Sequence, residues 1–270
     1  GFAGGSAITV VTKTGTNQFH GSAFEFHDDQ HLKARNFFQA ANREKPLGIY
    51  NNYGGTLGGP IIKNKFFFFG SYEQYRGRFG LNFVEAAPSL SLAQAGALIP
   101  GTSTPVNPAV QPFIAGFRSS AATVIPNASA TAGFDIVQLQ ANESTDEKAA
   151  AARLDYQINQ HNKLYFRFFR DQGKDVAPEG VSGRVVTIRA VPQNGVAGYQ
   201  WFNKSGSLIN EFKVGYNGAQ TRINGSAPTV GGLDFTNITL NISGSVANTG
   251  IAGQGASSGI SIPGGLVRAN

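Results

Sequence analysis

The sequence has no cysteine. A disulfide scaffold and a thiolate metal site are thereby excluded, and an oxidising compartment is permitted without being required. Charge is sparse: Asp, Glu, Lys and Arg make up 14% of the chain, against about 25% in ordinary soluble domains. No run of about 18 apolar residues occurs, so the sequence encodes no transmembrane helix. That test is blind to membrane-spanning strands, which alternate and need only about 10 residues each. The start at Gly1 shows neither the charged nor the apolar region of a signal peptide, and the end, Leu266-Val267-Arg268-Ala269-Asn270, carries no turn or cap signal. These ends predict an internal piece of a longer protein.

The net charge of +6 comes from 22 Lys and Arg against 16 Asp and Glu. Nucleic-acid binding needs such charge to be clustered. Here the tightest groups are only Lys63/Lys65, Arg76/Arg78 and Arg167/Arg170, so no nucleic-acid partner is expected.

What the 270-residue chain does have is glycine (35) and phenylalanine (21), a composition of strands and turns. Residues 6–12, SAITVVT, are a β-branched run. In 18–27, Phe24 and Phe26 alternate with Ala23 and Glu25. YGGTLGGPII (53–62) is a glycine-rich strand candidate, and the run beginning at Phe66 continues to about Arg78. Leu154, Tyr156 and Ile158 alternate with Arg153, Asp155, Gln157 and Asn159 in a period of two. The segments 164–171, 195–203 and 208–217 follow, with Phe166, Phe168, Phe212 and Val214 on the apolar side. The stretch 84–147 is rich in Ala, Ser, Pro and Thr and weakly periodic. The fold class expected is all-β: about seven up-and-down antiparallel strands of an open transmembrane barrel.

The connections alternate in length: long at 28–51, 79–150, 172–194 and 223–270, short at 63–65, 160–163 and 204–207. Outer-membrane barrels sort their connections this way, with short periplasmic turns and long extracellular loops. The run Phe66-Phe67-Phe68-Phe69 follows directly on a short turn, which places it in a periplasmic aromatic girdle. Plain alternation sends Phe67 and Phe69 inward, with Ser71 and Glu73 after them, and Tyr72 outward. Arg153, Asp155, Arg167, Glu211 and Lys213 are candidate lumen-lining residues; they line a solute path, or pair across strands and hold other segments.

Other clusters are weaker. His27-Asp28-Asp29-Gln30-His31 offers imidazole and carboxylate to a divalent ion, but at no recognised spacing. Tyr53-Gly54-Gly55-Thr56-Leu57-Gly58-Gly59-Pro60 has Pro60 where a phosphate loop needs Gly-Lys-Ser/Thr; its glycines suit close backbone approach. No nucleophile elbow or supported Ser-His-Asp group is found. The expectation is no enzyme, no metal and no cofactor.

Gly4 to Asn17, GGSAITVVTKTGTN, resembles the end of the plug domain of TonB-dependent outer-membrane receptors. HGSAFEF (20–26), ARNFF (34–38), YGGTLGGPI (53–61) and FFFGSYE (67–73) resemble the first barrel strands of their Oar-like subgroup, and LINEFKVGYN (208–217) a later strand. That subgroup usually carries a carboxypeptidase-regulatory-like domain. The resemblance implies a barrel of about 22 strands around a plug, with residues 1–15 ending the plug and 16–270 beginning the barrel. Signal peptide, TonB-contacting segment, most of the plug and the last strands would lie outside this sequence. It implies a cell outer-membrane location in a Gram-negative bacterium. The partners implied are outer-membrane lipid, the TonB complex through the absent N-terminal part, and an unidentified extracellular solute. Arg35-Asn36-Phe37-Phe38 is expected to anchor the first long loop through its two rings. From the residues alone a second reading stays open, a secreted β-rich adhesion or glycan-binding protein. It requires the alternating apolar residues to face another sheet.

Overall fold

The computed structural model describes residues 12–35, 37, 44–126, 128, 132–235, 240–241, 261–262 and 266–269. The main sheet is built from β1 (His20–Asp28), β2 (Gly48–Ile62), β3 (Phe66–Pro88), the short β4 (Thr123–Val124), β5 (Phe134–Asn159), β6 (Asn162–Glu179), β7 (Arg184–Phe202) and β8 (Ile209–Ser226). Neighbours run β1-β2-β3-β5-β6-β7-β8 and then β13 (Leu266–Ala269), all antiparallel, with β4 on β5. β9 (Thr229–Val230) with β10 (Leu233–Asp234), and β11 (Leu240–Asn241) with β12 (Ser261–Ile262), form two small pairs. The all-β, up-and-down, open architecture is as expected. Residues 6–11 of the expected strand 6–12, and most of the supposed plug end, fall outside the described residues.

The turn at 63–65 is closed by Asn64, whose φ of 62° lies in the left-handed region that Asn tolerates. Asn17 braces it: the Asn64 backbone N–H donates to Asn17 Oδ1 at 2.7 Å, and Asn17 Nδ2 donates to Asn64 Oδ1 at 2.6 Å. The other short turns, at 160–161 and 203–208, lie at the same end of the sheet.

At the opposite end the expected loops need correction. The connection expected at 79–150 shrinks to 89–133 because both of its ends are strand: β3 runs on to Pro88 and β5 already begins at Phe134. Likewise 172–194 is the top of a β6–β7 hairpin whose tip is 180–183, with Gly180 and Gly183 at φ 63° and 78°. β2 starts at Gly48 and β8 continues to Ser226, so 28–51 and 223–270 also lose residues to strand. The strict long-short alternation therefore weakens. A sorting of ends survives, because the two longest described connections, 29–47 and 89–133, leave from the same end.

The excursion 89–133 carries two 3-10 turns and one four-residue helix, α1 (Gln111–Ile114). It folds back over β3 and β5. Ala87, Phe117, Val137, Leu139 and Val181 form the buried cluster, with Phe83 and Ala122 against it. Val181 comes from the β6–β7 tip, whose backbone accepts from Ser119 N–H at 2.7 Å. Phe235 returns from beyond β10 and lies on Gly116, edge-on to Phe113 at 6.3 Å. Arg118 is buried, 2.7 Å from Asp135, and also donates to the Pro88 carbonyl. This cap is the principal apolar core among the described residues. Phe117→Ala is expected to cost about 3 kcal/mol and to open the cap alone, since the cluster draws only on the upper ends of β3 and β5 and on the β6–β7 tip. Limited proteolysis within 89–133 rising at least tenfold, with β6–β8 still protected, is the expected result; equal protection of both regions contradicts a separate cap.

Candidate functional site

Register fixes which residues share a face. Phe66 pairs with Tyr156 and Phe68 with Leu154, whereas Phe67 pairs with Asp155 and Phe69 with Arg153. Continuing across β6, Leu164 and Phe166 stand with Tyr156 and Leu154, and Tyr165 and Arg167 stand with Asp155 and Arg153. On β7 and β8, Tyr199, Phe212, Ala197 and Val214 complete the first face, and Gln200, Glu211 and Lys213 the second.

The first face is apolar and uncovered. Phe212 is 66% exposed, Val214 59% and Phe166 45%, and Leu154, Ile158 and Phe168 are also exposed. Tyr156 is half-buried, met edge-on by Phe66 at 5.6 Å. No second sheet packs on this band among the described residues. A patch of this size on a folded protein needs an apolar partner, and a band one residue in two along successive strands is the lipid-facing pattern of a membrane barrel. The secreted reading required the opposite.

The second face is polar and knitted together. Asp155 is 2% exposed. It accepts from Arg153 Nε at 2.8 Å and Nη2 at 2.9 Å, with Lys163 Nζ 3.5 Å away. Arg153 Nη1 reaches the N-terminal segment, donating to Thr12 Oγ1 at 2.9 Å and to its carbonyl at 3.2 Å. The Arg153 guanidinium stands 5.5 Å from the Tyr165 ring. Tyr165 O–H then donates to Glu211 at 3.2 Å, which also accepts from Gln200 at 2.9 Å and pairs with Lys213 at 2.7 Å. Of the five residues singled out in the sequence, all stand on this face, and Arg153, Asp155, Glu211 and Lys213 are engaged in holding it together. Arg167 sits directly opposite Arg153, with a buried Nε that has no hydrogen-bond partner. Asn52 Oδ1, Asp171 Oδ1 and Asn194 Oδ1, on the same face by register, are likewise buried and unpartnered. Such groups are rare in folded proteins and mark places that meet further polar matter.

The glycines of 53–60 seat aromatic rings and close backbone. The Phe24 ring lies over Gly54, Phe69 over Gly58 and Phe19 over Gly59, so close that added Cβ atoms would fall 2.8, 3.0 and 2.4 Å from them. Gly15 rests on Gly59 and Phe68 backbone. Pairing also puts Phe24 and Phe26 on the polar face, opposite Gly54 and Asn52.

The acidic-imidazole stretch does not converge. His27 Nδ1 is 2.7 Å from Asn51 Oδ1, while Asp28, on the other face, pairs with Lys33 at 2.5 Å. Asp29 accepts from the His31 backbone N–H at 2.7 Å and lies 2.6 Å from its Nδ1. The first of these holds the Asp29 carboxyl below its ordinary range. These contacts fold the start of the loop on itself. Phe37 is 93% exposed, so its ring does not anchor that loop by burial; Asn36 and Phe38 lie outside the described residues.

Two features escaped the sequence reading. Gln74 is buried on the apolar side at the upper edge of the band. It accepts from Tyr53 at 2.7 Å and Tyr72 at 3.0 Å, and donates to Asp146 at 3.2 Å. Thr12 and Gly15, the docking points of the N-terminal segment, also carried no local signal.

The family model described as outer membrane beta barrel domain matches residues 11–269. The chain belongs to this family. The TonB-dependent transporter Oar of Myxococcus xanthus is 36% identical over 76 residues, covering 25% of this chain. The matched part spans 7% of that protein's length. No solved structure matches. The family and this relative place the chain in the Gram-negative outer membrane.

Proposed function

We propose that this barrel chain belongs to a TonB-dependent, Oar-like receptor that takes up an extracellular solute, and that it is not an enzyme. The supporting observation is the docking of Thr12 and Gly15 on the polar face at the short-turn end. A chain that enters the barrel from its inner side comes from where a plug would sit. Residues 1–15 are then the end of a plug, and Phe66–Phe69 belong to the periplasmic girdle. Arg153, Asp155, Glu211 and Lys213 hold plug and wall together. Arg167 and the unpartnered Oδ1 atoms of Asn52, Asp171 and Asn194 above it face the path of a polar solute. TonB would act through sequence outside this chain. The cap over 89–133 would sit at the extracellular mouth.

Single cysteines test this in the full-length protein in intact outer membranes. Ile158 and Phe212 positions are expected to react with lipid-soluble thiol reagents only. Ser71 and Asn217 positions are expected to react only with water-soluble ones, and at least tenfold faster once the sequence before Thr16 is deleted. Water-side labelling of all four rejects the face assignment; no change on deletion rejects the plug.

A further inference from the structure

The cations that look scattered in the sequence are gathered by register. Arg76 pairs with Asp146, Asp146 with Lys174, Lys174 with Arg189 and Arg189 with Arg222. These residues form one unbroken row across β3, β5, β6, β7 and β8. By the same register, Arg78, Lys148 and Arg170 stand on this face within four residues of the row. All seven basic residues are exposed. The face is the one that carries Phe66, Phe166 and Phe212. On β3 and β5–β8 its carboxylate is Asp146, 3.4 Å from Arg76, whereas Glu73, Glu147, Asp171, Asp175 and Glu211 stand on the opposite face.

Such a row is unfavourable by itself. Side chains directly opposite on neighbouring strands have Cβ atoms about 5 Å apart, and like charges there destabilise a sheet. Lys174, Arg189 and Arg222 are three in succession. The repulsion is relieved when an anion lies against them, and guanidinium groups match phosphate oxygens two at a time. Part of the surface is hollow: Arg76, Arg78, Lys148 and Lys174 border a cleft of about 750 Å³.

Height above the band says what the anion is. From Phe168 to Lys174 is six residues of β6, roughly 20 Å along a strand, or about 15 Å of height at the usual barrel tilt. The row lies on the long-connection side of the lipid band and on its lipid-facing surface. A water-borne solute bound for the interior has no reason to meet this outer surface. Phosphate groups of the outer leaflet, on the headgroup and first sugars of a membrane glycolipid, lie beside it. We infer that Arg76, Lys174, Arg189 and Arg222, with Arg78, Lys148 and Arg170, bind phosphorylated glycolipid of the outer leaflet. This rests on the apolar face meeting lipid and is independent of solute uptake.

The test uses the full-length protein in detergent, with phosphorylated lipid A as probe. Lys174→Gln/Arg189→Gln/Arg222→Gln is expected to bind it at least tenfold more weakly than wild type. Lys63→Gln/Lys204→Gln, which removes charge from turns at the other end, should bind as wild type does. Without glycolipid the triple variant should melt no lower than wild type, because a repulsive row has been removed. Wild-type protein alone supplies a second measurement: enzymatically dephosphorylated lipid A should bind at least tenfold more weakly. Undiminished binding by the triple variant overturns the inference, as does equal binding of the dephosphorylated lipid. Displacement by equimolar inorganic phosphate assigns the row to a free anion and overturns the lipid. Wild-type-like labelling at Phe212 in the triple variant keeps failure of this inference distinct from failure of the barrel orientation.

Discussion

Asp155→Ala is expected to cost about 3 kcal/mol or more, the usual effect of leaving buried charge without its partner. Asp155 is the most enclosed ionised group on the polar face at 2% exposure. It holds Arg153 with two hydrogen bonds and has Lys163 at 3.5 Å. Its removal leaves Arg153 facing Arg167 across the strand pair, with no anion between them. The consequence reaches the N-terminal segment, because the same guanidinium binds Thr12 through its remaining nitrogen. Asp155→Asn keeps the shape and one acceptor, and is expected to cost about half as much. Denaturant titration of the reconstituted protein, followed by the fluorescence of Trp201, its single tryptophan, reads the difference. A change under about 0.5 kcal/mol for Asp155→Ala, the range of ordinary surface substitutions, contradicts the role given to this carboxylate.

Gly15→Val is expected to detach the N-terminal segment while the sheet stays intact. A Cβ at Gly15 would fall 2.2 Å from the Phe68 carbonyl oxygen, 2.7 Å from that of Gly59 and 3.0 Å from the Phe68 nitrogen. All three atoms are backbone of paired strands. They yield only by breaking the β2–β3 ladder, so the N-terminal segment is displaced instead and Thr12 loses Arg153. Tryptic cleavage after Lys13 is expected to rise at least tenfold. Gly70→Ala is the comparison: a Cβ there meets nothing closer than 3.9 Å, and stability should stay within about 0.5 kcal/mol of wild type. Unchanged cleavage in Gly15→Val shows that the segment is not held by this contact.

The strands were legible in the sequence wherever one face meets lipid. Leu154, Tyr156 and Ile158 against Arg153 and Asp155, or Phe212 and Val214 against Glu211 and Lys213, show the period of two because the two sides have opposite solvents. Above the band that contrast ends. In β5, Ile136 shares a side with Gln138 and Gln140, and Asp135 shares one with Val137 and Leu139; in β3, Asn82 stands with Val84 and Phe83 with Glu85. Neither stretch keeps one polar and one apolar side, so strands that continue there read as loops. The tip at 180–183 was hidden for the same reason.

The polar face was partly visible as well. Alternation places Arg153, Asp155, Arg167, Glu211 and Lys213 on one side, but it does not say which are paired. Asp155 meets Arg153 two residues along its own strand, whereas Glu211 meets Tyr165 from 46 residues away.

By itself the sequence determined the solvent of each face, since a strand's alternation fixes which side chains travel together. It also determined the short-turn end and the absence of thiol chemistry. Only the tertiary structure decided the neighbours. Arg76, Lys174, Arg189 and Arg222 are far apart along the chain, and they form a row because each strand pair settled in one register. A slip of one residue in any pair would send the next member to the opposite face. Register is set by turns, bulges and packing summed over whole strands, and no local stretch of sequence carries it.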